Sequence, residues 1–295
     1  MDDTALIKKI GELQNRKLKL YLGYRLKKYH YEFLNEIQVR ELEFLRYFRE
    51  FYPDEIRRYE EAQFIRYVQG TTAIEGNTIT LRQAEELLEH GVTPAGKSLR
   101  EVYEIVNFKE LRNFLDGYRG DITERFIKRV HEIIMRNLLE SAGEYRRIQV
   151  LIEKADHEPP PAFEVPELMK ELVKWYKQNR KKMHPFELAV LLHTKFVTIH
   201  PFVDGNGRVA RALMNFVLER NGYPTLYLGL EHRESYLDAV AEGNKENYKP
   251  IMDFIYDIYI EQHRAIIDEI EKNRVIIASE REELIKQFRL LKSKK

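Results

Sequence analysis

Apolar residues recur three and four positions apart along most of the chain, which is the spacing of one face of an α-helix. Polar and charged residues fill the positions between them. Clear examples in chain order are Leu6, Ile10, Leu13, Tyr29, Phe33, Ile37, Phe126, Val130 and Ile133. The pattern predicts a mainly α-helical protein.

Several predicted helices have boundary signals at their ends. Thr80 and Gln83 have the spacing of a capping box, and Gly91 lies where a helix often ends in a left-handed residue. Asp121 with Glu124 has the same starting spacing. These signals predict one helix between Thr80 and Gly91 and another that begins after Asp121.

One segment has a strand pattern instead. Ile148, Val150 and Ile152 lie on alternate positions, which predicts a short strand over residues 145–152. The prolines of residues 156–166 exclude a helix interior or a central strand there. The pattern predicts a β-hairpin on the surface of a helical body.

The last segment, residues 259–295, has apolar residues four or seven apart among many charges. It predicts an amphipathic helical tail. The apolar seam is short and broken, which favours packing against the body over a coiled coil. The chain has no clear repeat or low-complexity linker, so domain boundaries are expected within a helical body.

Composition narrows the function classes. The chain has 295 residues, of which 49 are Lys or Arg and 48 are Asp or Glu, so its formal charge is +1. Such a balance provides no strong field for nucleic acid or an anionic membrane. The absence of cysteine excludes disulfides, cysteine-bound metals and thiol nucleophiles. The sequence has neither a signal-peptide pattern nor a run of about 20 apolar residues, so we expect a soluble cytoplasmic protein with no membrane partner.

The stretch that carries chemistry is residues 200–211, which read HPFVDGNGRVAR. Helical apolar segments precede and follow it, so the glycine-rich part is predicted to be a tight turn at the start of a helix. Gly205 and Gly207 allow a ligand to approach the backbone closely, and the N–H groups of the following helix attract an anion. This arrangement predicts a phosphate site.

The polar side chains of the same stretch fit that chemistry. Arg208 and Arg211 can each hold phosphate oxygens in bidentate fashion. Asp204 is a hard oxygen ligand suited to Mg²⁺, and His200 belongs to the residue type whose reference pKa lies near neutrality, which suits a general base for a hydroxyl. The alternative is a glycine-rich helix connection with incidental charges.

Two other histidines are assigned structural roles. His184 begins a second His-Pro-Phe tripeptide, but no Gly, Asp or Arg pattern follows it. His193 lies in a predicted helix without a partner at the spacing of a zinc site. We therefore expect neither to act in catalysis.

The string from His200 to Arg211 resembles the complete signature of the Fic (filamentation-induced-by-cAMP) family. A wider resemblance runs over residues 122–260 and includes the sequence GEYR at residues 143–146. The resemblance implies a helical bundle with one β-hairpin flap, preceded by an N-terminal helical region and followed by a C-terminal helical tail. It also implies transfer of AMP from Mg·ATP to a Ser, Thr or Tyr hydroxyl of a target protein.

The resemblance also implies roles at matched positions. His200 is the expected general base, Asp204 the Mg²⁺ ligand, and Arg211 the ligand of the γ-phosphate. The remaining nucleotide-binding positions are the anion turn Gly205, Asn206 and Gly207 with Arg208, the flap Val150, Leu151, Ile152 and Glu153, and the adenosine-lining residues Tyr236, Leu237 and Asn244. The flap is expected to align the target chain by strand addition.

Residues 71–77 read TTAIEGN and resemble the inhibitory motif of Fic proteins that carry their own autoinhibitory helix. The resemblance implies that Glu75 pairs with Arg211 and removes it from the γ-phosphate. The same carboxylate could instead position a water that removes AMP from a modified target. A solvated residue before a turn is the simpler alternative for Glu75.

The predicted organisation is an N-terminal helical region at 1–120 with the inhibitory motif at 71–76, a catalytic domain at 121–260 and a helical tail at 261–295. The leading prediction is an autoinhibited protein adenylyltransferase. A de-AMPylating hydrolase and a nucleotide-sensing helical regulator of a partner or DNA are the alternatives, and the near-zero net charge disfavours DNA. The protein itself is one candidate target for modification.

Overall fold

The computed structural model describes residues 29–51, 53–151 and 157–264. Within the described part of residues 29–244 it contains nine α-helices and one 3₁₀ turn. In chain order the helices are α1 (Glu36–Phe51), α2 (Pro53–Ile74), α3 (Leu81–His90), α4 (Leu99–Gly117), α5 (Glu124–Ile134), α6 (Val165–Asn179), α7 (Pro185–Ile199), α8 (Asn206–Arg220) and α9 (Arg233–Asn244), with the 3₁₀ turn Leu230–His232 before α9. The predicted mainly α-helical fold is confirmed.

The core is centred on α7 and α8, which form the most extensive helix pair. Nearly every residue of α8 from Asn206 to Leu218 is buried, and most of α7 is too. Helices α6 and α9 pack on α7, whereas α2 and α5 pack on α8. A helix that is buried on all sides belongs to the interior of a domain. The residue 200–205 turn between α7 and α8 therefore lies on a rigid scaffold.

A buried glutamate anchors the chain ahead of α1. The Glu187 carboxylate accepts the backbone N–H groups of Glu32, Phe33 and Leu34 at 2.7–3.0 Å. One parallel bridge between His30 and Met183 adds two backbone hydrogen bonds. Buried carboxylates are stable when hydrogen-bonded in this way. Glu187 thus holds residues 30–34 against the start of α7.

Helix ends confirm one predicted cap and correct another. Thr80 and Gln83 form both bonds of the capping box, and Gly91 ends α3 in the left-handed conformation. The prediction that Asp121 starts α5 is wrong, because Thr123 caps that helix by accepting the N–H of Phe126. The threonine lies closer to the first apolar residue, so its hydroxyl reaches the orphan N–H.

No strand forms at residues 145–151, so the strand predicted over 145–152 is wrong for this part, and residues 152–156 lie outside the described residues. Alternation predicts a strand only where one face is buried. Here Ile148 is exposed and Leu151 is 84% exposed, so the apolar residues have no face to cover. The predicted β-hairpin flap is therefore not confirmed. The described part of the proline-rich segment, residues 157–164, is a loop as predicted, and Pro166 lies in the first turn of α6.

Residues 249–258 are helical, as are residues 259–264, which lie in a separate unit. The predicted tail beyond residue 264 lies outside the described residues, and the predicted domain boundaries stay predictions. Among the helices that the structure describes, none combines the length and apolar character that crossing a bilayer demands.

Candidate active site

The turn between α7 and α8 has two left-handed residues at its ends. His200 ends α7 with φ 51°, and Gly205 precedes α8 with φ 82°. A side chain at position 205 would also collide with Met135, whose Sδ lies 2.6 Å from the position of a Cβ. No side chain caps the start of α8, so its first N–H groups point into the turn without partners inside the helix. The predicted tight turn at the start of a helix is present, and its binding of an anion stays a prediction.

Buried contacts fix the shape of this turn. The Asn206 amide exchanges two hydrogen bonds of 2.9 Å with the backbone of Phe202. The Phe202 ring stacks on His131 at 3.6 Å between ring centroids. His131 accepts the N–H of Gly143 at Nδ1, so Nε2 carries the proton that binds the Asp204 carbonyl at 2.9 Å. Burial lowers the pKa of His131 to about 4, so the ring is neutral at pH 7.

Asp204 lies at the mouth of the turn with its side chain 42% exposed. Its carboxylate accepts the Gly205 N–H at 2.6 Å and pairs with Arg208 and Arg100 at 3.1 Å each. Burial opposes ionisation, yet Arg208, the Gly205 N–H and Arg100 together hold the pKa of Asp204 below its usual range. Mg²⁺ commonly binds through one carboxylate together with substrate phosphates. The exposed Asp204 fits that mode, although the described residues contain no cluster of three or more His, Asp or Glu that would hold a metal alone.

Arg208 is buried and paired with two carboxylates. Its Nη2 donates to Asp204, and its Nη1 donates to Glu104 of α4 at 3.2 Å. The other oxygen of Glu104 accepts the Asn77 side-chain amide at 2.8 Å. Glu104 therefore links Arg208 of α8 to Asn77, which follows α2.

Arg211 is also buried, and its partners come from α2, from Glu75 directly after α2, and from α9. Its Nη2 donates to Glu75 at 2.7 Å and to the Thr71 carbonyl at 2.9 Å, and its Nε donates to the Thr71 hydroxyl at 2.7 Å. Tyr236 lies against it, with the two side chains 3.4 Å apart. Burial opposes the charge, but Tyr236 and Glu75 raise the pKa of Arg211 further above its usual value. The ion pair predicted between Glu75 and Arg211 is present in the structure.

His200 faces several charged groups from different segments. Burial is the largest cause that lowers its pKa to about 4, and Arg146 and His157 act in the same direction, against Glu75 and the backbone at Val197. The imidazole is therefore neutral at pH 7 and able to accept a proton.

The other predicted residues occupy varied positions. Val150 and Leu151 lie in the irregular segment before residue 152, and Ile152 and Glu153 lie outside the described residues. Tyr236 is buried behind Arg211 and bonds His193 at 2.7 Å, whereas Leu237 is partly exposed. Asn244 accepts the Thr198 hydroxyl at 2.8 Å. Adenosine-lining roles for these three stay predictions.

His184 has the structural position that its sequence context indicates. It is fully buried and caps α7 by accepting the Phe186 N–H. His193 is likewise buried, and burial followed by the charge of Arg211 lowers its pKa to about 3.

Sequence reasoning missed Glu104 as a partner of the turn. A signal existed, since Glu104, Phe108 and Leu111 recur at helical spacing and share a buried face. A charge on such a face needs a partner. Arg146 lies in a stretch that carries the family resemblance, but its role could not be predicted from spacing because two of its contacts are with backbone carbonyls of distant segments.

Two buried helices joined by a glycine-rich turn, with a histidine before it and two arginines after it, define a class of helical proteins with an anion site at a helix start. Residues 121–218 match the family described as Fic/DOC. This part of the chain is therefore a Fic/DOC domain.

Two curated relatives are named Protein adenylyltransferase Fic. The Drosophila melanogaster protein is 33% identical over 207 residues, and the Aedes aegypti protein is 33% identical over 208 residues. Each match covers 68% of this chain, but it covers only 42% and 41% of the two relatives. The chain therefore spans well under half the length of the curated relatives that it matches.

Solved structures agree with the fold. Caenorhabditis elegans Fic-1 (residues 134–508 of that protein) aligns with a TM-score of 0.71 and 29% identity, covering 80% of this chain and 72% of that one. A Fic domain containing signaling protein from Bacteroides thetaiotaomicron aligns with a TM-score of 0.70 and 26% identity, covering 80% of this chain and 98% of that one. Both matches extend well beyond residues 121–218.

Proposed function

We propose that the protein is an adenylyltransferase that moves AMP from Mg·ATP to a Ser, Thr or Tyr hydroxyl of a target protein, and that Glu75 restrains it. The observation that best supports this proposal is the ion pair between Glu75 and Arg211, the last residue of the complete 200–211 motif. The names of the curated relatives support the same activity.

The transfer is an in-line displacement at the α-phosphorus. The neutral imidazole of His200 takes the proton of the target hydroxyl, and the hydroxyl oxygen forms the new bond to the α-phosphorus. The bond from that phosphorus to the bridging oxygen breaks, and pyrophosphate leaves with the bonding electrons. N–H groups at the start of α8 stabilise the charge on the phosphate oxygens.

Asp204 is the residue that would hold Mg²⁺ beside the phosphates, where the ion neutralises part of their charge. Arg208 would grip phosphate oxygens, and Arg211 would bind the γ-phosphate. The backbone at Val150 to Glu153 is proposed to align the target chain, and Tyr236, Leu237 and Asn244 to lie along the adenosine. A cytoplasmic location and the identity of the target protein stay predictions.

The restraint follows from competition for one guanidinium. Glu75 takes the Nη2 donor that a γ-phosphate oxygen needs, and both partners form strong charge-assisted hydrogen bonds. The Glu75 side chain is 34% exposed, so water can solvate it once it leaves Arg211. ATP can then bind with all its phosphates engaged only after Glu75 has moved.

The test is transfer of label from α-labelled ATP with Mg²⁺ to protein, in the presence of cell lysate to supply targets. We compare wild type, Glu75→Gly and Glu75→Gly combined with His200→Ala. A charge-assisted hydrogen bond is worth about 1.5–3 kcal/mol, so Glu75→Gly should raise labelling about ten- to hundredfold. The double variant should return it to background.

Glu234→Gly is the matched control, because Glu234 also pairs with an arginine but is exposed and lies outside the turn. It should label as weakly as wild type. Absence of label in every variant would contradict the transferase proposal and favour AMP removal or nucleotide sensing. Increased label that persists without His200 would contradict its role as the base.

A further inference from the structure

Arg146 is a buried arginine outside the 200–211 motif, and it binds the backbone rather than a carboxylate. It is only 3% exposed. Among the described residues no salt bridge joins it to Asp or Glu, whereas the motif arginines Arg208 and Arg211 both have carboxylate partners. A buried guanidinium must place its donors on acceptors, so the contacts that Arg146 makes are held firmly.

Those contacts reach three separate segments. Nε donates to the His200 carbonyl at 2.8 Å, Nη1 donates to the Ile148 carbonyl at 3.2 Å, and Nη2 donates to the Pro160 carbonyl. The backbone N–H of Arg146 also donates to the Pro201 carbonyl at 2.9 Å. Gln149 reinforces the arrangement by donating to the Pro159 carbonyl at 2.8 Å. Arg146 therefore joins the irregular segment before residue 152, the proline-rich loop and the backbone of His200 and Pro201.

The His200 carbonyl needs such a partner. His200 ends α7 in the left-handed conformation, which is unfavourable for a residue with a Cβ. The carbonyl groups at the end of a helix also have no N–H donor within the helix. The Arg146 guanidinium donates a hydrogen bond to the His200 carbonyl, and the backbone N–H of Arg146 donates one to the adjacent Pro201 carbonyl. The backbone from which the imidazole projects is thereby tied to the two segments beside it.

We propose that Arg146 is a positioning residue for AMP transfer, which sets the His200 imidazole and the neighbouring 148–149 and 159–160 backbone in one fixed arrangement around the incoming hydroxyl. The inference rests on the proposed transferase function. Arg146 touches neither substrate nor reacting atoms in this role. Its charge also helps to lower the pKa of His200, together with burial and His157 and against Glu75.

The experiment compares Arg146→Gln, Arg146→Lys and Arg147→Gln, all in the Glu75→Gly background. Arg147 is the matched control, because it is the next residue, is 87% exposed and pairs only with Glu144 among the described residues. The first readout is the titration of the His200 imidazole by NMR without ATP, and it does not depend on activity. The second readout is kcat and KM for ATP in AMP transfer, measured as a function of pH.

Arg146→Gln should raise the pKa of His200 by about one unit, because a nearby positive charge is lost. Misplacement of the base should lower kcat about a hundredfold while KM for ATP stays near its parent value. Arg146→Lys keeps the charge but not the fork of donors, so the pKa should be retained and kcat should still fall. Arg147→Gln should leave both readouts unchanged.

Equal kcat and equal His200 pKa in Arg146→Gln and Arg147→Gln would overturn the proposal. If Arg146→Gln does not fold, as judged by circular dichroism, Arg146→Lys decides alone: parental kcat in that variant would overturn it. Absence of transfer in the Glu75→Gly parent would instead count against the proposed function, and the NMR titration would still report whether Arg146 sets the environment of His200.

Discussion

Arg208 and Arg211 lie one turn apart on α8 and are almost completely buried, yet their carboxylate partners differ in exposure. Glu104 holds Arg208 from the buried face of α4 and is itself only 9% exposed. Glu75 holds Arg211 from the end of α2 and is 34% exposed. If Glu104 separated from Arg208, its carboxylate would stay inside the protein without that charge partner, whereas the Glu75 carboxylate can move into water. The Arg208–Glu104 pair therefore stabilises the fold, whereas the Arg211–Glu75 pair can open.

The neutral partners of the two arginines sharpen this contrast. Arg211 keeps three oxygens when Glu75 leaves, namely the Thr71 carbonyl, the Thr71 hydroxyl and Tyr236. Arg208 without Glu104 keeps only the Asp204 carboxylate among its described hydrogen-bond partners. A displaceable carboxylate beside a guanidinium that stays hydrogen-bonded is suited to exchange with a phosphate.

The largest expected effect is on stability and separates the two pairs. Glu104→Ala leaves Arg208 buried beside a single carboxylate, and breaking a buried pair in this way costs about 3–5 kcal/mol. Glu75→Ala should cost only about 1.5–3 kcal/mol, the value of one charge-assisted hydrogen bond, because Arg211 keeps its neutral oxygen partners. Urea denaturation followed by circular dichroism gives both free energies of unfolding. Equal losses in the two variants would show that Arg211 depends on its carboxylate as strongly as Arg208 does.

The second expected effect concerns how α2 carries Glu75 to Arg211. Gly70 lies in α2, where a Cβ would be 2.1 Å from the Leu228 carbonyl oxygen, so Gly70→Ala must displace the helix or the backbone that it touches. Overpacking of this kind costs about 1–3 kcal/mol. If about 1.4 kcal/mol of that strain loosens the Glu75 contact, AMP transfer should increase about tenfold. The measurement is transfer from α-labelled ATP by a variant with intact Glu75.

Gly117→Ala is the control for this prediction, because a Cβ at Gly117 meets nothing within 4 Å. Alanine has the better helix propensity, so this variant should be at least as stable as wild type and should transfer AMP at the wild-type rate. A Gly70→Ala protein that is as stable as wild type and equally inactive would mean that the approach of α2 to residue 228 does not support the restraint.

Sequence patterns predicted the helices and the turn well because both depend on local spacing. The apolar period of α7 and α8, the capping box at Thr80 and the glycines of the turn are all encoded within a few residues. The pairing of Glu75 with Arg211 spans 136 residues and was predicted only through resemblance to a family. Periodicity alone contains no information on which distant charges meet.

The strand prediction for residues 145–151 was wrong because it, too, depends on contacts with distant parts of the chain. Its alternating residues match a strand, but the backbone carbonyl of Ile148 is taken by the Arg146 side chain and the apolar side chains have no buried face. Side-chain hydrogen bonds to backbone compete with regular structure, and their partners come from the tertiary fold. Likewise, Asp121 was favoured as a cap because its spacing to Glu124 is correct, whereas the hydroxyl of Thr123 is the group that reaches the helix.

The smallest expected effect tests whether Thr71 holds Arg211 in place for Glu75. Thr71 and Thr72 are adjacent, buried and of the same type, but their hydroxyls differ in partner. The Thr71 hydroxyl accepts from Arg211 Nε, whereas the Thr72 hydroxyl donates to backbone carbonyls of its own helix. Thr71→Val keeps the shape and the backbone contact and removes one hydrogen bond, worth about 1 kcal/mol.

Loss of that bond should let Arg211 leave Glu75 more often, so AMP transfer should rise about two- to fivefold. Thr72→Val loses a bond that does not involve Arg211, so it should transfer AMP at the wild-type rate even if its melting temperature falls. The comparison therefore separates loosening of the restraint from loss of stability in α2. Equal transfer by the two variants would mean that Glu75 alone holds Arg211, and the neutral oxygens around it would then contribute to the fold rather than to the restraint.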